Sequence, residues 1–368
     1  MKIKKFLQNK FKIFFHYLFH FIYGKIDILN NKDDLDVTKY ELREIIVNGK
    51  NYKLNNTIFV LSNARVFTDL TEHVAIIKDN KIIPEISYQQ VKGELMDITY
   101  NKVLHSGTNR IIKDFEGTVL SLVQGASGNN YFHFLFDIIL KLKIFKNKFS
   151  LDKIDFFYVP GASKWQKIIL SLFDIPEEKL IDSNKYRHIR AKKIIATDHP
   201  WYKKGFVQEE INYLPEWSVH FLRDKFLKYK KTLNVSKKIF IDRSDSKFNH
   251  CQLINNQEII NYLEAKGFEC FQVSKLHFFE QIYLFNNADI IIGPHGAAFT
   301  NIIFSKPGMK LIELIPKNHG SIKCEKISKI LNFKYKRVTL DVVKSEIPEI
   351  KGDIKIDIDE LEKIINST

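Results

Sequence analysis

The sequence predicts an α/β fold made of two Rossmann-like domains with parallel sheets. Strand-like runs alternate with helix-like segments along most of the chain, which is the pattern of parallel sheets covered by helices. The chain has 368 residues, 45% of them hydrophobic, and is therefore long enough to bury two cores. Residues 230–237 are polar and mark the expected boundary. We assign residues 33–232 to an N-terminal domain and residues 237–345 to a C-terminal domain.

Each element is predicted from an apolar run bounded by turn residues. Residues 33–113 indicate a β-rich entry, with short runs at 57–61, 73–78 and 81–84. The N-terminal domain continues with strands over 118–123, 154–159 and 191–197 and helices over 131–140, 163–173 and 209–231. The C-terminal domain has predicted strands over 238–241, 268–273, 290–292, 310–315 and 334–339, and helices over 256–266, 278–286 and 323–331. Residues 346–368 form a tail with a predicted helix over 357–365.

The most informative stretch runs from Ala288 to Leu314 and reads ADIIIGPHGAAFTNIIFSKPGMKLIEL. Its apolar start is typical of a buried parallel strand, and Gly293-Pro294 ends it. A short helix and a second strand follow, with Glu313 inside that strand. Glycines allow a close backbone approach, and the helix N-terminus attracts anions. With His295 in the turn, the stretch predicts a phosphate site, although a glycine turn that serves packing alone remains the alternative.

A second candidate site follows the predicted strand over residues 118–123. The loop after this strand ends at Asn129 and Asn130, either of which can cap the next helix. His133 and Asp137 are four residues apart in that helix and therefore share a face. An imidazole and a carboxylate in apolar surroundings can act as a base and the group that orients it. The alternative is a buried pair that only ties the helix to a loop.

Charge and cysteine content narrow the function classes. The formal net charge is +14, which suits an anionic membrane, an anionic substrate or nucleic acid. No nucleic-acid-binding motif accompanies this charge, so we expect no nucleic-acid partner. The three cysteines, Cys251, Cys270 and Cys324, are scattered and form no CxxC motif. We expect reduced thiols in the cytoplasm and no zinc site.

The N-terminal segment, residues 1–24, is basic and amphipathic. Five lysines lie within residues 2–12, and apolar residues recur at helical spacing up to Tyr23. The apolar run is too short to span a bilayer and has no small-residue cleavage site. The pattern predicts a helix over residues 2–23 that lies on an anionic membrane surface. Docking of the helix on the protein's own core is the alternative.

In the stretches around His133 and His295, the chain resembles glycosyltransferase family 61, whose members adopt the two-domain GT-B fold. The resemblance covers roughly residues 100–340, and its N-terminal part is the short motif of Asn130 to His133 followed by Asp137. One departure is Cys251-Gln252, where the family usually has a basic pair. The other matching positions are Arg243-Ser244-Asp245, Asn255 to Glu258, Phe278 to Gln281, Ala288 to Ala297, Thr300-Asn301, Pro307-Gly308 and Ile312 to Leu314.

The resemblance implies an inverting transfer of a sugar from a nucleotide-sugar donor without an obligatory metal. The sequence has no DxD motif in an acidic loop, whereas His295 and Arg243 can neutralise a leaving diphosphate. We expect a UDP-sugar donor whose ribose hydroxyls bond to Glu313, and we assign the base to Asp137 oriented by His133, with the reverse assignment open. The expected donor-binding residues are Arg243, Gly293, His295, Gly296, Ala297, Thr300, Asn301 and Glu313, with catalytic Asp137 and His133, and no metal.

The expected setting is synthesis of a bacterial surface polysaccharide, such as capsule or lipopolysaccharide, by a hexosyl- or pentosyltransferase. The acceptor is a glycan or a lipid-linked glycan, and the enzyme is expected at the inner face of the cell membrane. A nucleotide-sugar epimerase is one alternative, because it needs the same donor but no acceptor. A non-catalytic membrane-associated polysaccharide-assembly protein is the other, and it would show no turnover.

Overall fold

In the computed structural model, the chain divides into two compact units. The first unit comprises residues 1–210 and the second comprises residues 211–368. The structure describes residues 2–30, 36–68, 73–91, 93–124, 128, 130–202, 205–206, 209, 211–245, 251–344 and 352–367.

The first unit is a twisted sheet with helices on the chain segments that connect its parallel strands. Its strands are β1 (Asp27–Ile28), β2 (Val37–Val47), β3 (Lys50–Thr68), β4 (His73–Lys78), β5 (Lys81–Ile82), β6 (Tyr88–Val91), β7 (Glu94–Leu95), β8 (Lys113–Ser121), β9 (Phe156–Val159), β10 (Leu180–Asp182), β11 (His188–Thr197) and β12 (Gly205–Phe206). Its helices are α1 (Lys2–Tyr23), α2 (Lys102–Ser106), α3 (Tyr131–His133), a π-helix (Phe134–Ile139), α4 (Leu140–Lys146) and α5 (Lys164–Ser171).

The strand order of this sheet is β10-β9-β8-β11-β3-β4-β6-β7-β12. The part from β10 to β11 is parallel, and β11 pairs antiparallel with β3. From β8 the chain moves outwards through β9 to β10 and then returns to place β11 on the other side of β8. The boundary between β8 and β11 is therefore the point where the strand order reverses. In open parallel sheets ligands bind beyond the carboxyl ends of the strands at such a point.

The second unit contains a fully parallel sheet. Its strands are β13 (Lys238–Ile241), β14 (Glu269–Phe271), β15 (Ile290–Pro294), β16 (Lys310–Pro316) and β17 (Lys334–Leu340), followed by the two-stranded pair β18 (Val342–Lys344) and β19 (Asp353–Ile354). Its helices are α6 (Glu216–Leu227), α7 (Asn256–Ala265), α8 (Phe278–Asn287), a 3-10 helix (Ala297–Phe304), α9 (Lys323–Leu331) and α10 (Ile358–Ser367).

The parallel sheet has the order β14-β13-β15-β16-β17, the 2-1-3-4-5 order of a doubly wound fold. Its strand order reverses between β13 and β15. On one face, Phe240 and Ile292 pack with Ile259 of α7 and Leu361 of α10. The C-terminal tail is therefore part of the core of this unit.

The predicted α/β class with parallel sheets is confirmed, and the predicted Rossmann-like order holds in the second unit. In the first unit the parallel strands from β10 to β11 continue into a large antiparallel part. One of its antiparallel pairs, β2 with β3, is joined by Asn48-Gly49, and the positive φ of both residues (51° and 73°) matches the two-residue turn of a hairpin. The predicted β-rich entry over residues 33–113 is confirmed.

The division between the units falls before the predicted polar boundary at residues 230–237. Helix α6 belongs to the second unit because its side chains pack there. Arg223 donates a hydrogen bond to the carbonyl oxygen of Ser305 at 2.7 Å. The ring of Phe226 lies edge-on to Phe278 and Phe304.

Candidate functional site

The predicted pair His133 and Asp137 forms at the start of the helix that follows β8. Asn130 caps this helix, because its side-chain oxygen accepts from the backbone N–H groups of Phe132 and His133. Asn129, the other predicted cap, lies outside the described residues. Asp137 lies in the π-helix, whose wider turn keeps residues four apart on one face. Nδ1 of His133 lies 2.8 Å from Oδ2 of Asp137.

A second histidine, His199, approaches the same carboxylate from the loop after β11. Its Nδ1 accepts the backbone N–H groups of Trp201 at 3.2 Å and Tyr202 at 2.8 Å. The proton of a neutral His199 ring must therefore lie on Nε2. This Nε2 is 3.5 Å from Oδ1 of Asp137. The indole N–H of Trp201 donates to the carbonyl oxygen of Phe136 at 3.1 Å, which fastens the loop to the π-helix.

Asp137 is ionised although it is buried. Its exposed fraction is 2%. Burial acts to raise the pKa of Asp137, but the charges and hydrogen bonds of His133 and His199 outweigh it and hold the pKa at about 2. Because an ionised carboxylate only accepts hydrogen bonds, Nδ1 of His133 must carry a proton. The Nε2 atom of His133 is then the basic nitrogen when the ring is neutral.

These residues lie where the strand order of the first unit reverses. The chain reaches His133 after β8, and it reaches His199 directly after β11. β8 and β11 are the parallel neighbours at that reversal. The histidine–carboxylate group thus lies at the carboxyl ends of these strands, where ligands bind in parallel sheets.

The second candidate group lies at the corresponding point of the second unit. Arg243 follows β13, and His295 follows β15, so both residues lie at the reversal of strand order. Arg243 is buried, and its Nη1 donates a hydrogen bond to the carbonyl oxygen of His295. The neighbouring carboxylate of Asp242 accepts hydrogen bonds from Ser244, Asn256 and Gln272.

Glycine is required in this turn because of close packing. A Cβ atom at Gly293 would lie 2.9 Å from the carbonyl oxygen of Ile241. A Cβ atom at Gly296 would lie 2.6 Å from Cζ and Nε of Arg243. Gly296 itself has an extended backbone, with φ of 176°. The glycines therefore allow β13 and its arginine to lie against the turn, in line with the packing alternative, and this packing places the guanidinium there.

Lys323 adds a second cation at the same turn. It lies in the first turn of α9 and is buried, and its Nζ donates to the carbonyl oxygen of Gly296 at 2.9 Å. Arg243 and Lys323 therefore bond to successive carbonyl groups. Burial lowers the pKa of both residues. Positive charge is concentrated at this turn, as an anion site requires.

Glu313 holds His295 in position. Nδ1 of His295 lies 2.5 Å from Oε1 of Glu313, and the hydroxyl of Tyr335 donates to Oε2 at 2.5 Å. Burial acts to raise the pKa of Glu313, but His295 and hydrogen bonds from His295, Cys324 and Tyr335 hold it at about 2. Burial lowers the pKa of His295, and nearby Lys323 acts in the same direction.

The internal hydrogen bonds of Glu313 bear on two of the predictions. Both carboxylate oxygens are used within the protein, so the geometry favours a positioning role for Glu313 over the predicted contact with ribose. Among the described residues, donor atoms of His295, Glu313 and Cys324 lie within 4.8 Å of one another, a spacing that can hold a metal ion. In this structure hydrogen bonds join the three groups, and the three cysteines form no disulfide.

The remaining predicted donor residues lie in the 3-10 helix that follows the turn. Ala297 is exposed at its start, whereas Thr300 and Asn301 are fully buried. The amide of Asn301 donates to Oε1 of Gln281 at 3.0 Å. Asn301 thus links this helix to α8, a structural contact.

Two residues of these groups were not predicted from the sequence. His199 lies in a loop to which the sequence analysis assigned no role, and Lys323 was assigned only to a helix. The signal for His199 is its position directly after the predicted strand over residues 191–197. Cys251, at the departure from the family pattern, has a left-handed backbone with φ of 53°, and its thiol interacts with Arg243.

Comparison with known proteins identifies a family but no individual relative. A search of curated proteins found no match to this chain. The family model described as Glycosyltransferase 61 matches residues 131–312. The matched segment begins at the helix that carries His133 and Asp137 and includes Arg243 and His295. The matched segment, residues 131–312, belongs to glycosyltransferase family 61.

Proposed function

We propose that the protein is an inverting, metal-independent glycosyltransferase that uses a nucleotide-sugar donor, with a UDP-sugar as the expected donor. The observation that carries this proposal is the placement of Arg243 and His295 after the carboxyl ends of the two strands at which the strand order of the second unit reverses. Family membership supports the transfer of a sugar. The GT-B architecture implied by the resemblance belongs to the same proposal.

The second unit is proposed to bind the donor diphosphate. Arg243 and Lys323 supply two positive charges at adjacent carbonyl groups of the turn. His295 has Nδ1 directed to Glu313, which leaves Nε2 as the ring atom for a phosphate oxygen. A bound diphosphate favours the protonated form of the His295 imidazole. The protonated ring in turn neutralises part of the negative charge of the leaving diphosphate. Glu313 is assigned the role of orienting His295.

The first unit is proposed to deprotonate the acceptor hydroxyl, with His133 as the base and Asp137 as its orienting partner. This reverses the assignment favoured from the sequence. The carboxylate of Asp137 has a pKa of about 2 and is too weakly basic to accept a proton efficiently near neutral pH. The side chain of Asp137 is 2% exposed, and that of His133 is 11% exposed. Asp137 stabilises the imidazolium that forms when His133 takes the proton.

The proposed step is a single displacement. The acceptor oxygen forms a bond to the anomeric carbon while the bond from that carbon to the diphosphate oxygen breaks. The hydroxyl proton passes to Nε2 of His133, and the leaving diphosphate carries the negative charge away. One displacement inverts the anomeric centre, and it requires one base.

The positive charges at the turn support the proposed metal independence. Arg243 and Lys323 can stabilise the leaving group as a divalent cation would. They also oppose the entry of such a cation at the neighbouring group of His295, Glu313 and Cys324. Addition of EDTA should therefore leave the transfer rate unchanged.

The proposed setting is synthesis of a bacterial capsule or lipopolysaccharide, with a glycan or lipid-linked glycan as acceptor. We place the enzyme at the cytoplasmic face of the membrane and assign it hexosyl- or pentosyltransferase activity. The resemblance to bacterial members of the family supports this setting.

The proposal can be tested with a panel of nucleotide sugars. Each donor is first tested for an increase in Tm of the full-length protein and then incubated with glycan acceptors, with product detection by mass spectrometry. A stabilising donor whose sugar appears on an acceptor supports the proposal. A sugar isomer formed from the donor in the absence of acceptor would establish an epimerase instead, and no donor binding would refute both.

A further inference from the structure

Helix α1 exposes one apolar face. Phe14, Tyr17, Leu18 and Phe21 recur at helical spacing, and all are exposed, with Phe21 at 90%. An exposed patch of this kind is costly in water and indicates an interaction surface. Among the described residues, no helix is both long and apolar enough to cross a membrane. The face is suited to lying in the interface of a bilayer.

The opposite face of α1 is directed to the rest of the first unit. Phe15, Phe19 and Tyr23 form a series of ring contacts, with centroid distances of 6.1 Å and 5.8 Å. The hydroxyl of Tyr23 accepts the backbone N–H of Ile112 at 3.2 Å, and its ring lies edge-on to His188. Helix α1 therefore contacts the rest of the unit through Tyr23 and also exposes an apolar face. The predicted position on a membrane surface stays a prediction.

A cavity of about 1050 Å³ lies between α1 and the rest of the first unit. Phe15 and Phe19 contribute one side of it. Four cationic side chains line the other parts of it, and no described lining residue is Asp or Glu. These cations are Arg110, Lys113, Lys185 and Arg187.

Aromatic rings and cationic side chains therefore line one cavity, and Ile111, which is 80% exposed, also lines it. A surface of this kind matches the boundary between lipid phosphates and acyl chains. Nucleic acid would match the cations but not the exposed apolar face of α1. We call the surface formed by this cavity and the apolar face of α1 the attachment surface.

We propose that the attachment surface binds an anionic phospholipid bilayer, with the apolar face of α1 in the interface and lipid phosphates bound by the cations of the cavity. Helix α1, Arg110 and Lys113 precede the segment matched by the family model, whereas Lys185 and Arg187 lie within it. The proposed membrane contact does not depend on the proposed reaction. It gives the full chain a lipid-specific membrane contact that requires both the helix and the folded unit.

The test is co-sedimentation of the full-length protein with vesicles. One set contains phosphatidylcholine alone, and the other contains equal amounts of phosphatidylcholine and phosphatidylglycerol. The double variant K113S/K185S should lower the partition coefficient on mixed vesicles about 30-fold, since each basic residue near an anionic surface contributes about fivefold. The control K164S/K306S removes the same charge from two other exposed positions.

A second variant, Phe21→Ser, removes apolar surface without a change in charge. We expect weaker binding to mixed vesicles, an unchanged Tm and little effect of K164S/K306S. If the control and K113S/K185S lower the partition coefficient equally, binding depends only on net charge, and the proposal is overturned. Unchanged binding of Phe21→Ser, or tighter binding to duplex DNA than to vesicles, would also overturn it.

Discussion

His199 Nε2 lies 3.5 Å from the Oδ1 atom of Asp137, and His133 Nδ1 lies 2.8 Å from the Oδ2 atom. One buried carboxylate is thus placed between two imidazoles that come from different strand ends. Backbone N–H groups fix the proton of a neutral His199 on the nitrogen that faces Asp137. This arrangement orients His133 and keeps Asp137 ionised.

Substitution of Asp137 by Asn should reduce transfer strongly. The amide has no charge to stabilise the His133 imidazolium and permits the wrong tautomer of the ring. We expect kcat to fall by roughly 10²- to 10⁴-fold, the usual contribution of general-base catalysis. The affinity for the nucleotide, measured by calorimetry, should stay unchanged. His133→Ala should cause a loss of the same order, and full turnover in both variants would remove this site from the mechanism.

His199 allows a finer test of the same carboxylate. In His199→Asn, the amide oxygen can replace Nδ1 as acceptor for the Trp201 and Tyr202 N–H groups, but nothing replaces Nε2. We expect kcat to fall about tenfold, with little change in KM, because Asp137 loses one of its two imidazoles. His199→Leu also leaves buried N–H groups unsatisfied and should cost a further 1–3 kcal/mol or so of unfolding free energy. Equal stability of the two variants in urea would contradict this account.

The two buried carboxylates should make the stability of the protein depend on acid pH. The folded pKa of Asp137 and of Glu313 is about 2, below the ordinary value near 4 of an unfolded chain. Their contribution is therefore fully present above about pH 5 and is lost as the pH falls through the folded pKa. Each should account for about 3 kcal/mol of this loss.

The measurement is urea unfolding of Glu313→Gln and the wild type at several pH values between 7 and 2. The variant should be less stable near neutral pH, and the difference should shrink as the pH falls. A half-buried surface carboxylate provides the matched control, and Glu325→Gln serves because Glu325 forms a helix-surface pair with Lys329. A constant difference across the pH range would show that Glu313 is not held ionised by its partners.

Gly296→Ala should weaken nucleotide binding through Arg243. The new Cβ would lie 2.6 Å from the guanidinium, so the arginine must move away from the turn. The backbone of Gly296 is extended and suits alanine, which confines the effect to this contact. We expect about a tenfold loss of affinity for UDP. In an Arg243→Ala background the same substitution should have little further effect on the affinity for UDP. Additive losses in the double variant would show that Gly296 does not act through Arg243.

Much of the second unit could be predicted because its strands are short apolar runs with clear breaks. The order of strands and helices from Lys238 to Leu340 agrees with the sequence analysis. The first unit was less predictable, because β3 contains four asparagines, which are unfavourable in strands, and pairing on both sides overrides this preference. The Asn48-Gly49 signal of its hairpin is nevertheless present in the sequence.

The candidate sites show the same limit. His133 and Asp137 are local in sequence, so helical spacing predicts their contact. His199 and Lys323 reach their partners through sheet order and helix packing, which a single sequence does not specify. The role of Glu313 could not be predicted because a carboxylate inside a strand can face either a ligand or a neighbouring side chain. In the structure the Glu313 carboxylate accepts hydrogen bonds from His295, Tyr335 and Cys324.

The most direct test of the central claim is calorimetric titration of UDP into the wild type, Arg243→Ala and Asp137→Asn. The account predicts binding to the wild type, a loss of roughly 10- to 100-fold in Arg243→Ala from the missing charged contact, and unchanged affinity in Asp137→Asn. Equal affinity in the wild type and Arg243→Ala, or no binding of UDP at all, would contradict the proposal that the turn at His295 binds the donor diphosphate.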